Sequence, residues 1–315
     1  MRTLRIIFMG SPDFAVPSLQ KLIAGRHEVA AVVSGTDKRR GRGGKTTPTP
    51  VKAEALKHGI PVIEADSMKD EGLAEKLRLF NPDLFVVVAF KILPNDLLRI
   101  PKVGSVNLHA SKLPAYRGAA PIHHAVMNGE TETGSTIFFL DEGIDTGKII
   151  RQNTVPIGPD ETTGSVYTRL MESGSELLET AVDDIAGNQL NVIEQDHSQA
   201  SKAPKLFDED CKVGFDRSAK TVHNHIRGLS PFPCAYAILD GKRLKLISST
   251  LPDSVNIDSD PEPGDILRTE SGSVCVKCAD GFVELGDVRY EGKKQMPAPD
   301  FFNGYQGEMK LHRPE

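Results

Sequence analysis

The sequence predicts an α/β chain of two domains, a doubly wound sheet of mostly parallel strands followed by a small antiparallel β-barrel or sandwich. Short apolar runs alternate with helical segments over the first 110 residues, the βαβα rhythm of a parallel sheet. The run LFVVVAF at 84–90 does not alternate, as expected of a central strand buried on both faces. Beyond residue 207 short strand-like pieces are separated by glycine, proline and aspartate, the pattern of a compact antiparallel fold. A chain of 315 residues accommodates two domains of roughly 100 to 200 residues each.

Taken in order, LRIIFMG (4–10), EVAAVVSG (28–35), IPVIEA (60–65), DLFVVVAF (83–90) and KVGSVNLHA (102–110) are the expected strands. VPSLQKLIAG (16–25) and TPVKAEALKHG (49–59) have helical character. A long helix over 162–188 closes the first domain, and the polar stretch that follows reads as a linker,. The expected division is therefore 1–189, a linker at 190–207, and 208–315. KRLKLISST (242–250), GSVCVKCAD (272–280) and GFVELGDVRY (281–290) supply strands of the second domain. No internal repeat or low-complexity tract is present.

Composition excludes several classes. With 38 basic and 43 acidic residues the net charge is −5, unlike proteins that bind nucleic acid through an overall basic surface. The longest apolar run falls far short of the roughly 18 residues needed to span a bilayer. Four cysteines are too few for a disulfide scaffold, and no signal-peptide pattern is seen, so a reducing cytoplasm is expected. MGSPDF follows the first strand without the G-x-G-x-x-G of a dinucleotide site,. Cys275 and Cys278 have C-x-x-C spacing, but an extended strand sends them to opposite faces, so they are read as packing residues and not as zinc ligands. His123 and His124, at a helix start, are read as structural. No metal is expected.

The chemistry concentrates in NLHASKLPAYRGAAPI, residues 107–122. Asn107 and His109 stand two apart at the end of a strand, so their side chains share a face. In open α/β sheets ligands sit beyond the carboxyl ends of the strands. Asp145 follows in DEGIDTGKII, between Gly143 and Gly147, on a loop able to bring a carboxylate to the pair. An amide and a protonated imidazole can donate to a developing oxyanion while a carboxylate favours the charged ring, which suits acyl transfer to an amine. Individually, Asn107 could cap a strand, His109 could be a core histidine and Asp145 could make an Asx-turn.

Taken together with GSTIFFLDEGIDTGKII at 134–150, the stretch resembles the formyltransferases that use 10-formyltetrahydrofolate. IIFMGSPDFAVPSLQKL, GRGGKTTPTPVKAEA, IRGLSPFPCAYA and EGKKQMPAPDFFNGY narrow the resemblance to members with a methionyl-tRNA acceptor, over nearly the full chain. The resemblance implies a Rossmann-like formyltransferase domain and an OB-like barrel that helps hold tRNA. It implies transfer of formyl from 10-formyltetrahydrofolate to the α-amino group of methionyl-initiator tRNA, for translation initiation. Asn107, His109 and Asp145 are then catalytic, and Ser111, Lys112, Leu113 and Pro114 lie in the folate-binding segment. Lys112 stands where the family has leucine, and AFKILP (89–94) is one residue shorter than its glycine-containing counterpart. A monomer is expected.

SGTDKRRGRGGKTTP, residues 34–48, carries five basic residues opposed by Asp37 alone, in a glycine-rich stretch expected to form no regular element. By the resemblance this loop enters the acceptor end of the tRNA, with Arg42 at the key basic position beside Arg40 and Lys45. Lys242, Arg243, Lys245, Lys293 and Lys294 are weaker RNA contacts in a second domain of 14 basic and 18 acidic residues. Two alternatives keep the chemistry and change the acceptor: a nucleotide-sugar amine, or water as in formyltetrahydrofolate hydrolases. A third is a catalytically silent RNA-binding module, against which the intact trio argues. For the loop, Arg42→Ala is expected to weaken productive tRNA use by about 1 to 3 kcal/mol, the range for one good nucleic-acid contact, with folate affinity unchanged. Steady-state kinetics with charged initiator tRNA at two salt concentrations measures this; native kinetics at both would return the loop to a solvated surface segment.

Overall fold

The computed structural model describes residues 2–40, 45–255 and 260–314. It resolves two compact units, one of residues 1–118, 133–155 and 167–202, the other of residues 119–132, 156–166 and 203–315. The stretch 190–207, expected as a linker, is thus one of several points at which the chain passes from unit to unit.

The first unit is built on β1 (Arg5–Gly10), β2 (Glu28–Ser34), β3 (Lys38–Arg40), β4 (Lys45–Thr47), β5 (Val62–Glu64), β6 (Leu84–Val88), β7 (Gly104–His109), β8 (Thr136–Phe139) and β9 (Ile149–Gln152). All but β3 and β4 form one seven-stranded sheet in the order β9-β8-β7-β6-β1-β2-β5. The five strands from β7 to β5 pair in parallel, and β8 and β9 extend the sheet antiparallel. Every residue of β6 is buried. Its non-alternating apolar run, like that of β1, therefore suits the middle of the sheet.

The chain runs outward from β1 in one direction through β2 and β5 and in the other through β6 and β7, so the carboxyl ends of β1 and β6 flank the switch point where α/β folds bind ligands. Gly10 and Val88 are opposite each other there. A Cβ on Gly10 would come within 3.0 Å of the Val88 carbonyl oxygen and 2.9 Å of Ala15 Cβ, which leaves room for no other residue. On the neighbouring β7, Leu108 faces away from Asn107 and His109 and meets the helix Thr163–Gly187, whose Gly174 allows the close approach: a Cβ there would lie 3.1 Å from Leu108 Cδ1.

The stretch expected to be irregular holds a two-stranded ribbon, with Arg40 opposite Lys45. Its flanks, KRR at 38–40 and KTT at 45–47, pair antiparallel, and Arg42 with the three glycines lies outside the described residues. The ribbon is tied down at its base. Lys52 holds both Asp37 and Glu64, at 2.7 and 2.6 Å, and the pair holds its ammonium above the usual lysine range. Thr49 caps the helix α2 (Pro50–Lys57) by accepting from the Lys52 amide, and its hydroxyl also meets Ser34 Oγ at 2.6 Å. Asp37, the one acid in the basic stretch, is thereby already paired.

The second unit has two four-stranded antiparallel sheets. One contains Ala235–Leu239, Lys242–Leu246, Asp287–Tyr290 and Met296–Pro297, and the other Ser249–Thr250, Ile266–Arg268, Val274–Lys277 and Phe282–Leu285. They share one core that includes Leu244, Leu246, Val276, Val283, Val288 and Phe302. Arg227, on the helix Ala219–Gly228, is 4 % exposed and donates to Asn224 Oδ1 and to the carbonyls of Gly158 and Glu161. These bonds tie residues 156–166 into the unit. Cys275 and Cys278 are buried, and desolvation pushes their thiols up to about 11 and about 12. Among the described residues no group of three or more histidine, cysteine or acidic side chains could hold a metal, and no helix is long and apolar enough to cross a membrane.

In the first unit a buried carboxylate joins α2 to the helix α1 (Val16–Ala24). Glu54 accepts from Lys57 and from Gln20, each at 2.8 Å, and these bonds, Lys57 first, hold it at about 2 against an ordinary value of 4.5. A depressed folded-state value means the stabilisation is complete above the unfolded value and lost as pH falls through the folded one. Unfolding free energy is therefore expected to drop between pH 4.5 and 2, and Glu54→Gln to flatten that part of the curve. Urea unfolding of both proteins across this range measures the effect, and parallel curves would remove Glu54 as its source.

Candidate active site

Asn107 and His109 occupy the carboxyl end of β7, where Asn107 is opposite Val87 and His109 lies one residue past the Leu108–Val88 pair. The expected shared face follows from the strand geometry, with Leu108 turned to the opposite side. His109 is 6 % exposed. Its Nε2 lies 2.9 Å from the carbonyl oxygen of Tyr116. A carbonyl only accepts, so Nε2 carries a proton. Nδ1 then faces Asp145, whose Oδ2 is 3.7 Å away.

This separation exceeds a hydrogen bond. The Tyr116 carbonyl therefore holds the ring at Nε2, and Asp145 stands beside Nδ1 without a hydrogen bond. Asp145 is itself fixed, because its Oδ2 accepts from the Gly118 amide at 2.8 Å. Residues 116 to 118 thus hold the imidazole with one backbone group and the carboxylate with another. Tyr116 has φ +61°, Gly118 +126° and Asp145 +55°. Gly147, two residues on, packs so tightly that a Cβ would overlap the Phe139 carbonyl at 1.8 Å.

Asn107 and Asp145 line a cleft with a cavity volume of about 90 Å³, walled by Val87, Phe90, Ile92, Leu93, Leu98, Leu140 and Ile144. Ile92 and Ile144 are 75 % and 59 % exposed, which puts apolar surface at its mouth, where an isolated hydrophobe would gain nothing from exposure. The segment Phe90–Leu93 leaves β6 through Ala89 at φ +47°, a conformation costly for alanine. Lys91 secures it by donating to the Ala65 carbonyl at 2.7 Å and to that of Asp66. The AFKILP segment is therefore a wall of the cleft.

The residues expected to hold folate follow β7 directly, in the turn after His109. None of Ser111, Lys112, Leu113 and Pro114 is among the cleft's lining residues. Ser111 and Leu113 are buried. The Ser111 hydroxyl donates to the Ala115 carbonyl, and the Thr136 hydroxyl donates to the Ser111 carbonyl while accepting from the Leu113 amide. Gln152 donates to the Leu113 carbonyl at 3.0 Å. Polar groups so used shape the turn after β7. Lys112 approaches Gly134, where a Cβ would lie 2.8 Å from its Cγ. Of the tRNA residues, Arg42 lies outside the described residues, and Arg40 and Lys45 are paired in the ribbon. The apolar walls and the Tyr116–Gly118 clamp escaped sequence reasoning, the clamp because backbone groups carry no residue signature.

A family model described as formyl transferase matches residues 4–182, and one described as formyl transferase, C-terminal domain, matches residues 205–306. The chain is 43% identical to a methionyl-tRNA formyltransferase of Geobacter sulfurreducens over 309 residues, covering 98% of this chain and 96% of the relative. It is 45% identical to a methionyl-tRNA formyltransferase of Moorella thermoacetica over 303 residues, covering 96% of each. Among solved structures, the sugar 3N-formyl transferase WlaRD, crystallised with dTDP and 5-N-formyl-THF, superposes with a TM-score of 0.68 at 21% identity. That superposition covers 93% of this chain and 100% of WlaRD, and at this identity the likeness is one of fold. Because the sequence likeness runs through both models and almost the whole length of the relatives, beyond a sheet that many enzymes share, the chain belongs to the formyl transferase family.

Proposed function

We propose that the protein transfers the formyl group of 10-formyltetrahydrofolate to the α-amino group of methionyl-initiator tRNA, in the cytoplasm, where the product starts translation. The near full-length identity of 43% and 45% to methionyl-tRNA formyltransferases supports the acceptor. The observation that carries the chemistry is the placing of a buried His109 beside Asp145, with Asn107 on the same strand end at the cleft.

The cleft takes the reacting end of the folate. Its walls of Phe90, Ile92, Leu93, Leu98, Leu140 and Ile144 suit a flat aromatic ring with polar edges, and the neighbouring carboxylates suit the ring's N–H donors. The acceptor amine bonds to the formyl carbon, and the carbonyl electron pair moves onto oxygen. The Asn107 amide donates to that oxyanion. With Nε2–H engaged by Tyr116, Nδ1 is the His109 nitrogen left for the reaction, and in its protonated form it donates to the same oxygen. The pair then returns, the bond from carbon to the folate nitrogen breaks, and tetrahydrofolate leaves. Asp145 takes the proton that the amine loses and passes it toward the departing nitrogen. No metal enters these steps.

The ribbon supplies the charge for the tRNA. With Asp37 held by Lys52, the sequence from Lys38 to Lys45 contains basic residues with no acid among them, and each phosphate neutralised releases counterions.

His109→Ala and Asn107→Ala are expected to lower kcat about 100-fold to 1,000-fold, the range for losing an oxyanion donor, with the KM for folate near native, since both act on charge that develops in the transition state. Asp145→Asn is expected to be comparably slow. Formyl incorporation into charged initiator tRNA, beside uncharged and elongator tRNA and a nucleotide-sugar amine, measures all three variants and the acceptor together. A native kcat in any variant would remove that residue from the mechanism, and transfer to the sugar amine alone would replace the acceptor.

A further inference from the structure

Gln195 lies in the polar stretch that sequence alone reads as a linker, yet it is 6 % exposed. Its side-chain amide is fully engaged. Nε2 donates to the Asp145 carbonyl at 3.0 Å and to the Gly147 carbonyl at 2.7 Å. Oε1 accepts from Arg117 Nε at 3.2 Å and Nη2 at 2.6 Å. A primary amide has two N–H donors and two acceptor lone pairs, and all four are used. No carboxylate or hydroxyl could replace it, because the two carbonyls demand donors and the guanidinium demands acceptors.

The backbone around Gln195 makes the same two connections. Ile193 exchanges both amide hydrogen bonds with Ile149, at the start of β9. Further along, the Ser201 carbonyl accepts from the Arg117 amide at 2.8 Å and the Ser201 hydroxyl accepts from the Tyr116 amide at 2.9 Å. Residues 193–201 therefore form a strap from the Asp145 loop to the Tyr116–Gly118 clamp. Gln195 is the point on the strap where both are bound by one side chain. Asp145 needs such support: its φ of +55° is an uncommon conformation for a residue other than glycine, and backbone held this way persists only where its surroundings over-determine it.

We infer that Gln195 is a positioning residue for the transfer reaction, setting the Asp145 carboxylate against His109 by tying the Asp145 and Gly147 carbonyls to Arg117. The inference rests on the catalytic reading of Asp145 given above. It assigns Gln195 no contact with substrate.

The test is a double-mutant cycle in the full chain. Gln195→Met keeps length and removes every hydrogen bond. Gln195→Glu keeps the acceptors for Arg117 and turns a carboxylate oxygen toward two carbonyls. Active enzyme is counted by titration with tetrahydrofolate, so that a loss of folded protein does not register as slow turnover. Both variants are expected to lower kcat at least about 10-fold, since small misplacements of a reacting group cost on the order of 100-fold, with KM for both substrates near native. In the Asp145→Asn background, Gln195→Met is expected to cost nothing further, because a positioning residue has no effect once the group it positions is gone. A purely structural role would persist there. Native kcat in both Gln195 variants beside a slow Asp145→Asn would overturn the inference, as would losses that multiply in the double variant. A native kcat in Asp145→Asn itself would instead overturn the role of Asp145.

Discussion

Everything at the site depends on two backbone groups two residues apart, the Tyr116 carbonyl that holds His109 Nε2 and the Gly118 amide that holds Asp145 Oδ2. Their spacing sets how far the imidazole sits from the carboxylate, and 3.7 Å leaves the two close enough to interact and too far apart to satisfy each other. A direct hydrogen bond would commit Nδ1 to Asp145. The longer separation leaves both groups available to a substrate. Side-chain substitution cannot move these backbone groups without bending the turn, so the geometry is carried by the path of the chain through residues 110–118.

That path is strained where it matters. Ala89, Tyr116 and Asp145 all have positive φ, at roughly 1 to 2 kcal/mol each for a residue other than glycine. Two of them border the cleft or its wall, and the third orients the histidine. Local strain of this kind is retained where the surrounding structure is rigid, and here that structure is the sheet centred on β1 and β6, with Ile6, Ile7, Phe8, Leu84, Phe85 and Val86 fully buried. The helix carrying Gly174 closes the back of β7 behind Leu108. The strand end therefore has packing on one side and chemistry on the other.

How much of this the sequence carried depends on whether side chains or backbone do the work. Apolar runs at 4–10 and 84–90 announced the sheet because burial on both faces leaves no polar alternation. Asn107 and His109 were legible because a two-residue spacing at a strand end has one geometric meaning. Asp145 was legible mainly through resemblance, since an aspartate between glycines is also an ordinary turn. Other features left no such trace. The Tyr116 carbonyl exists in every residue. Gln195 sits in a run of polar residues where burial cannot be guessed, and β3 and β4 are three residues each, too short to show a period around glycines. Ser111–Pro114 was conspicuous as a motif, and what the sequence did not show is that its polar groups also build the turn, through Thr136 and Gln152.

The interleaving of the two units in sequence bears on how such a protein can be dissected. Arg227 takes its carbonyl partners from residues 158 and 161, more than sixty residues upstream, and residues 119–132 also belong to the later unit. A fragment beginning at residue 203 would carry a buried guanidinium stripped of two acceptors, while one ending there would carry the orphaned segments as loose insertions. Recombination of the catalytic unit with a foreign tail would meet the same obstacle. A graft that keeps the donor's residues 119–132 and 156–166 together with its carboxyl-terminal stretch would move the second unit whole, and would bring the hydrogen-bond partners of its buried arginine along with it.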